Sequence, residues 1–147
     1  MCCDGLEKIE GIEQVIIAGI GGEEIIKILK NSYIPQKFVF QPMKNANLLR
    51  TYLLQNGCAI ERDDIFSDGK NYYFIIKGRL SGDTCAYTKA QSEFGRDSLN
   101  NSVLRDYLNI ELDKKKSYLT RKMNDKSRAD VLGAIAFLEG VLSGEIK

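Results

Sequence analysis

Two residue periods alternate over the first 80 positions of this 147-residue chain, and that alternation restricts the fold more than any other feature of the sequence. Val15 to Ala18 is an apolar, largely β-branched run that ends in Gly19-Ile20-Gly21-Gly22. Ile25, Ile26 and Leu29 then recur at helical spacing over Glu23 to Leu29, so a strand, a tight turn and a helix are expected. Phe38-Val39-Phe40 is a second short strand, closed by Gln41-Pro42. Asn47 to Leu54 puts Leu48, Leu49, Tyr52 and Leu53 on one helical face and stops at Asn56-Gly57, a C-cap signal. The β-rich runs Cys58 to Phe66 and Asn71 to Lys77 flank Ser67-Asp68-Gly69-Lys70, a hairpin turn. The order strand, helix, strand, helix, strand, strand predicts an α/β fold. Right-handed crossovers would build a parallel sheet covered on both faces, half of a doubly wound fold, with one final antiparallel strand.

Residues 81–102 are polar and without a clear period, which reads as a connector between a first unit at 1–80 and a second at 103–147. In the second unit Val103, Leu104, Tyr107, Leu108 and Leu112 share a face that continues to Leu119 and Met123. Val131, Leu132, Ile135, Leu138, Val141 and Leu142 form another stripe after the polar 124–130 segment, so a helical hairpin or coiled coil closed by Gly144 is expected.

Composition limits the chemistry. There is no histidine, which excludes Ser-His-Asp and Cys-His nucleophile systems and a neutral-pH imidazole acid or base. No metal site is expected. The four cysteines, Cys2, Cys3, Cys58 and Cys85, lack C-x-x-C spacing, and reduced thiols in a cytoplasmic protein are expected. No apolar run approaches the roughly 18 residues of a membrane span. A net charge of +1 gives no global attraction to nucleic acid, so any such affinity must be local.

Four local features could carry function. Glycines 19, 21 and 22 sit where a buried strand meets a helix, a place where backbone can approach a ligand closely; a tight turn with positive φ would need them equally. The turn is neither a dinucleotide fingerprint, which would need glycine at Glu24, nor a P-loop, and Glu23 and Glu24 would repel a phosphate there. Asp4-Gly5 carries an isolated carboxylate of the kind that commonly caps a helix. Gln41-Pro42 ends the second strand on the same rim as the Gly turn, as a terminator or as an amide facing a ligand. Lys114, Lys115, Lys116, Arg121, Lys122, Lys126 and Arg128 are opposed between positions 114 and 128 by Asp125 alone; they suit either phosphate binding or a solvated helix face.

Taken in order, Asp4-Gly5-Leu6-Glu7, Ile17-Ala18-Gly19-Ile20-Gly21-Gly22, Phe40-Gln41-Pro42, Leu49-Arg50-Thr51-Tyr52-Leu53, the Cys58 to Ile76 hairpin, and Glu93-Phe94-Gly95 with Tyr107-Leu108 and Glu111 resemble the bacterial tRNA (adenine(22)-N(1))-methyltransferase family. The resemblance implies a class I, Rossmann-like methyltransferase sheet followed by a helical coiled coil, with S-adenosylmethionine as cofactor and tRNA as partner. It implies that Asp4 and Gly5 lie near the cofactor adenine. It places the target adenine at Gly19, Gly21, Gly22, Gln41 and Pro42, and tRNA phosphates at the basic run. The family's usual Met in the Gly turn is Ile20 here.

The resemblance is to the C-terminal two-thirds of the family, whose members begin with the first strands and an acidic Gly-rich loop that cradles the methionine part of the cofactor. A truncated member with little activity alone is therefore expected, or alternatively a non-catalytic RNA-binding or assembly module. The Val15 to Gly19 strand would then be an unprotected edge, expected to pair with a second copy or an N-terminal fragment.

Overall fold

The computed structural model describes Leu6 and residues 11–147. Four strands form one mixed sheet, β1 (Val15–Ile20), β2 (Lys37–Pro42), β3 (Cys58–Ser67) and β4 (Tyr72–Leu80), in the order β1-β2-β4-β3. β1 and β2 are parallel and joined through α1 (Gly22–Asn31), the expected crossover. α2 (Ala46–Gln55) leads from β2 to β3, and β4 folds back between β2 and β3, antiparallel to both. The expected α/β architecture with a closing antiparallel strand is thus present.

Each element follows from its residues. β2 places Phe38 and Phe40 inward, where their rings stack 4.7 Å apart, and Ile25 and Leu29 of α1 and Leu49 and Leu53 of α2 cover the sheet. β2 ends at Gln41-Pro42, as expected, with Pro42 still paired in register with Ile20. The buried face of α2 is Ala46, Leu49, Arg50 and Leu53, while Leu48, expected inside, is exposed. Arg50 takes the place that an apolar side chain would fill.

The stretch 81–102 is more ordered than its lack of period suggested. It carries a short helix, α3 (Lys89–Phe94), and a 3-10 turn at Asp97–Asn100. Thr88 and Gln91 form a reciprocal capping box at the start of α3. Two helices follow, α4 (Ser102–Tyr118) and α5 (Asp125–Ser143), which ends at Gly144 with φ of +78°. They form the expected hairpin around Leu104, Leu108, Leu112, Ile135 and Leu138, although Leu132 is exposed.

Ile65 of β3 and Phe94 of α3 belong to this second core, which fastens the hairpin to the sheet. The joint is polar as well. Asn101 caps α4 through the Val103 N–H and donates to the Asp64 carboxylate at 2.9 Å and the Ile65 carbonyl at 3.0 Å. Arg96 donates to the carbonyls of Ile60 and Glu61, and the Asp63 N–H donates to Asp97 at 2.9 Å.

At the centre of the joint, Arg50 Nε donates to both carboxylate oxygens of Asp63 at 2.9 Å, with neither side chain exposed. Arg50 Nη1 donates to the carbonyls of Ser92 and Glu93 at 3.1 and 3.0 Å, and the guanidinium lies 4.9 Å from the Phe74 ring. Burial pushes the Asp63 carboxyl above its ordinary value against the opposing pull of Arg50. Gly95 ends α3 with φ of +89°, and a Cβ there would lie 2.6 Å from the Asp63 carboxylate.

Cys58 and Cys85 are free thiols in opposite surroundings, one buried and one exposed. Burial pushes the Cys58 thiol up to about 11 from 9.0. Alkylation of the native protein near pH 8 is expected to label Cys85 and spare Cys58, which peptide mass spectrometry reads directly. The raised folded value also fixes a sign. The stability that Cys58 contributes is intact below 9.0, where the unfolded thiol ionises, and is lost as pH rises through about 11.

Candidate functional site

The carboxyl ends of β1 and β2 meet at one rim. Ala18 pairs with Gln41 and Ile20 with Pro42, so Gly19 is an extra residue, a bulge with φ of +80°. A Cβ at Gly19 would meet no atom within 4 Å, which leaves its backbone open on one side. Its N–H donates to Gln41 Oε1 at 3.1 Å, and Gln41 Nε2 reaches the Met43 sulfur at 3.4 Å. The Gly turn therefore sets the orientation of the Gln41 amide.

The other two glycines have a different job. Gly21 precedes α1 with an ordinary φ of −71°, and the Lys44 side chain lies over it, 3.0 Å from where a Cβ would stand. Gly22 N–H donates to the Lys44 carbonyl at 2.8 Å, and a Cβ would drive into the Asn45 carbonyl oxygen. Met43 N–H donates to the Ile20 carbonyl at 2.9 Å, which completes the seam between the Gly turn and residues 43–45. Asn45, with φ of +55°, turns the chain into α2 in the left-handed region that Asn tolerates. Gly22→Ala is expected to cost about 1–3 kcal/mol through overpacking against backbone. Gly19→Ala is expected to cost about 1 kcal/mol from backbone strain alone. Urea denaturation of the two variants checks that order.

Beyond this seam lies a cleft of about 580 Å³ between the sheet and the helical hairpin, bounded by Pro42 to Asn47 on the rim side and by Glu93, Tyr107, Glu111 and Lys115 on the other. A second cleft of about 560 Å³ shares Glu93, Phe94, Tyr107, Glu111 and Lys115 and runs on to Lys89 and Phe137. Tyr107 packs against Tyr72 and Phe74, with centroids 5.5 and 5.9 Å away. Burial raises the Tyr107 hydroxyl above its ordinary value, and the charges of Glu111 and Glu93 add to the rise. Asn47 donates to Glu93 at 3.2 Å, and the carbonyl of Glu93 is one of those that Arg50 holds.

The structure thus brings Gly19, Gly21, Gly22, Gln41 and Pro42 together, with Gly19 and Gln41 directly bonded. Asp4 and Gly5 lie outside the described residues. The basic run surrounds the hairpin tip: Lys114, Lys116, Arg121, Lys122, Lys126 and Arg128 are exposed and Lys115 is half-buried against the cleft. Lys114 and Lys116 are answered by Glu111 at 3.5 Å and Glu139 at 2.9 Å, and Arg121 lies over the Tyr118 ring. The sequence reading missed Lys44, Asn45 and the cleft residues Glu93, Tyr107, Glu111 and Lys115 as one site. Nothing local joins them, because three separate segments supply them. Among the described residues no helix is long and apolar enough to cross a membrane, and no group of His, Cys, Asp and Glu could hold a metal ion.

Several solved structures share this architecture. A structure of M. capricolum TrmK in complex with S-adenosyl-homocysteine superposes with a TM-score of 0.87 at 21% identity, covering 97% of this chain and 67% of that one. A Streptococcus agalactiae protein in the NADB-Rossmann superfamily gives 0.78 at 26% identity, covering 89% and 60%. The B. subtilis M1A22 tRNA methyltransferase TrmK gives 0.78 at 20% identity, covering 95% and 68%. At such identities the likeness establishes the fold, and the chain spans about 60% to 68% of the length of these structures. A search of curated proteins found no match. A family model described as a methyltransferase domain matches residues 1–76, half of the chain and the part that contains the Gly turn, β2, β3 and the start of β4: the chain belongs to the methyltransferase domain family.

Proposed function

We propose that the chain takes part in S-adenosylmethionine-dependent methyl transfer to N1 of an adenine in tRNA, with the base held at the Gly19 bulge. The observation that carries this reading is the open backbone of Gly19, fixed beside the Gln41 amide, next in the chain to the Pro42 to Asn47 wall of a cleft that reaches Lys115 of the basic helical arm. When bound, S-adenosylmethionine supplies a methyl group activated by a positive sulfonium. Transfer to N1 would use the lone pair of that ring nitrogen and would move the positive charge from the cofactor to the adenine, so this chain's part would be to hold the base in line. Adenine N1 carries no proton to remove, so the displacement needs alignment rather than a general base, and a site without histidine is adequate to it.

The described residues fit one side of such a complex. Gly19 leaves room for a flat base, and Gln41 offers an amide held in place by the Gly19 N–H. The rim seam fixes the distance between the two. Asp4 and Gly5 are proposed to hold the cofactor adenine, with the carboxylate accepting from its amino group. Calorimetric titration with S-adenosylmethionine tests the reading, and micromolar binding is expected.

A second reading has its own support. The exposed basic arm needs no cofactor, and a non-catalytic RNA-binding or assembly module would show no S-adenosylmethionine binding but retain salt-sensitive tRNA affinity.

The free side of β1 belongs to the same proposal. Among the described residues β1 has a neighbouring strand on one side only, and Ile16 on it is 70% exposed with Ile12 just before it at 48%. A strand from a second copy or from another chain segment would pair there. Slow amide exchange across Val15 to Ile20 together with a sedimenting dimer is expected for self-pairing; a stable monomer with fast exchange there would count against it.

A further inference from the structure

We infer that the cleft between the sheet rim and the helical hairpin is a second base-binding site, which takes an unstacked guanine near the target adenine. The inference rests on the tRNA reading above and adds a specificity that the fold alone does not supply. Its basis is the balance of groups on the cleft walls. Glu93 and Glu111 lie close enough to Tyr107 for both charges to act on its hydroxyl; Asn47 and Lys114 each engage one carboxylate oxygen, and Lys44 and Lys115 line the same space. A phosphate would meet the two carboxylates, and a cationic ligand would meet the two lysines. A neutral, flat group carrying both donors and acceptors satisfies both sets.

A nucleobase is such a group, and guanine matches it most fully. Its N1–H and N2 amino group donate side by side to a carboxylate, while O6 and N7 accept from a lysine. Tyr107 offers a ring already braced by Tyr72 and Phe74, on which an unstacked base can lie. The cleft volume of about 580 Å³ is ample for one base. Position supports the same occupant. Lys44 touches both places, since its side chain covers Gly21 and it also lines the cleft, so a nucleotide in the cleft would adjoin one held at Gly19. On the far side Lys115 belongs to the helix that carries the basic run, where the flanking phosphates would lie.

The test is equilibrium binding of full-length tRNA transcripts to the full chain. Each guanosine near the target adenine is replaced in turn by inosine, which lacks only the N2 amino group. The wild-type chain is expected to lose roughly tenfold in affinity at one position. Glu111→Gln, at a half-buried position, is expected to lose a similar factor with guanosine and nothing more with inosine. Circular dichroism confirms that the variant is folded, and Glu93→Gln provides an independent second variant. Equal affinities of wild type and both variants for every transcript, with salt-dependent tRNA binding intact, would overturn the guanine site and leave the tRNA reading standing. Loss of all tRNA binding by the wild-type chain would overturn both.

Discussion

Replacing Arg50 by methionine, which keeps most of the aliphatic stem and removes the charge, is expected to lower stability by about 3–5 kcal/mol. Arg50 holds three things at once: both oxygens of Asp63 on β3, the Ser92 and Glu93 carbonyls at the end of α3, and the face of Phe74 on β4. Its loss leaves a fully buried carboxylate without its cation. A double variant separates the pair from mere packing. Arg50→Met combined with Asp63→Leu removes both charges and is expected to recover a large part of the deficit, because an apolar pair of similar volume carries no desolvation penalty.

The pH dependence has a definite sign. Burial already raises Asp63 with Arg50 present, and without Arg50 the downward pull is gone. A carboxyl whose folded value is raised contributes stability below its ordinary value and loses it as pH rises through the folded one. The single variant's deficit is therefore smallest in acid and grows toward neutral pH; urea denaturation at several pH values reads it. The same substitution loosens Glu93, so it is expected to weaken ligand binding in the cleft even under conditions where the protein remains folded.

The second large effect concerns the hairpin tip. Changing Arg121, Lys122, Lys126 and Arg128 together to glutamine is expected to lower tRNA affinity by about two orders of magnitude at physiological salt, with a slope against log salt flatter by about 3. These four are the better choice for neutralisation, since Lys114 and Lys116 already face Glu111 and Glu139. All four are exposed, so folding is expected to be unaffected, and a salt titration of tRNA binding gives slope and affinity together. An unchanged slope would mean that the run is a solvated face.

Much of the sheet was legible because its signals are local. The β-branched run before the Gly turn, the Phe38 to Phe40 strand and the Asp68-Gly69 hairpin each announce themselves within a few residues, and the mixed sheet follows from their order. The glycines of the turn were legible as a group but not by role. Only the structure separates Gly19, with its positive φ and open side, from Gly21 and Gly22, which are small because Lys44 and Asn45 lie against them. α3 is too short for a period to show, yet its Thr88 and Gln91 capping box was present in the sequence as a start signal.

Arg50 and Asp63 were hidden for a different reason. Charged residues read singly belong on the surface, and a buried pair exists only when β3, α2 and α3 have been brought together. The cleft is hidden in the same way, since Lys44, Glu93 and Glu111 are far apart in the chain and become one surface only through the packing of the hairpin on the sheet.

Nucleoside mass spectrometry of tRNA incubated with the chain and S-adenosylmethionine tests the central reading most directly. Slow formation of 1-methyladenosine at one position of the tRNA by the wild-type chain, reduced further in Gly19→Ala, is the expected result. Salt-sensitive tRNA binding with no 1-methyladenosine and no S-adenosylmethionine binding would contradict it and identify the chain as an RNA-binding module.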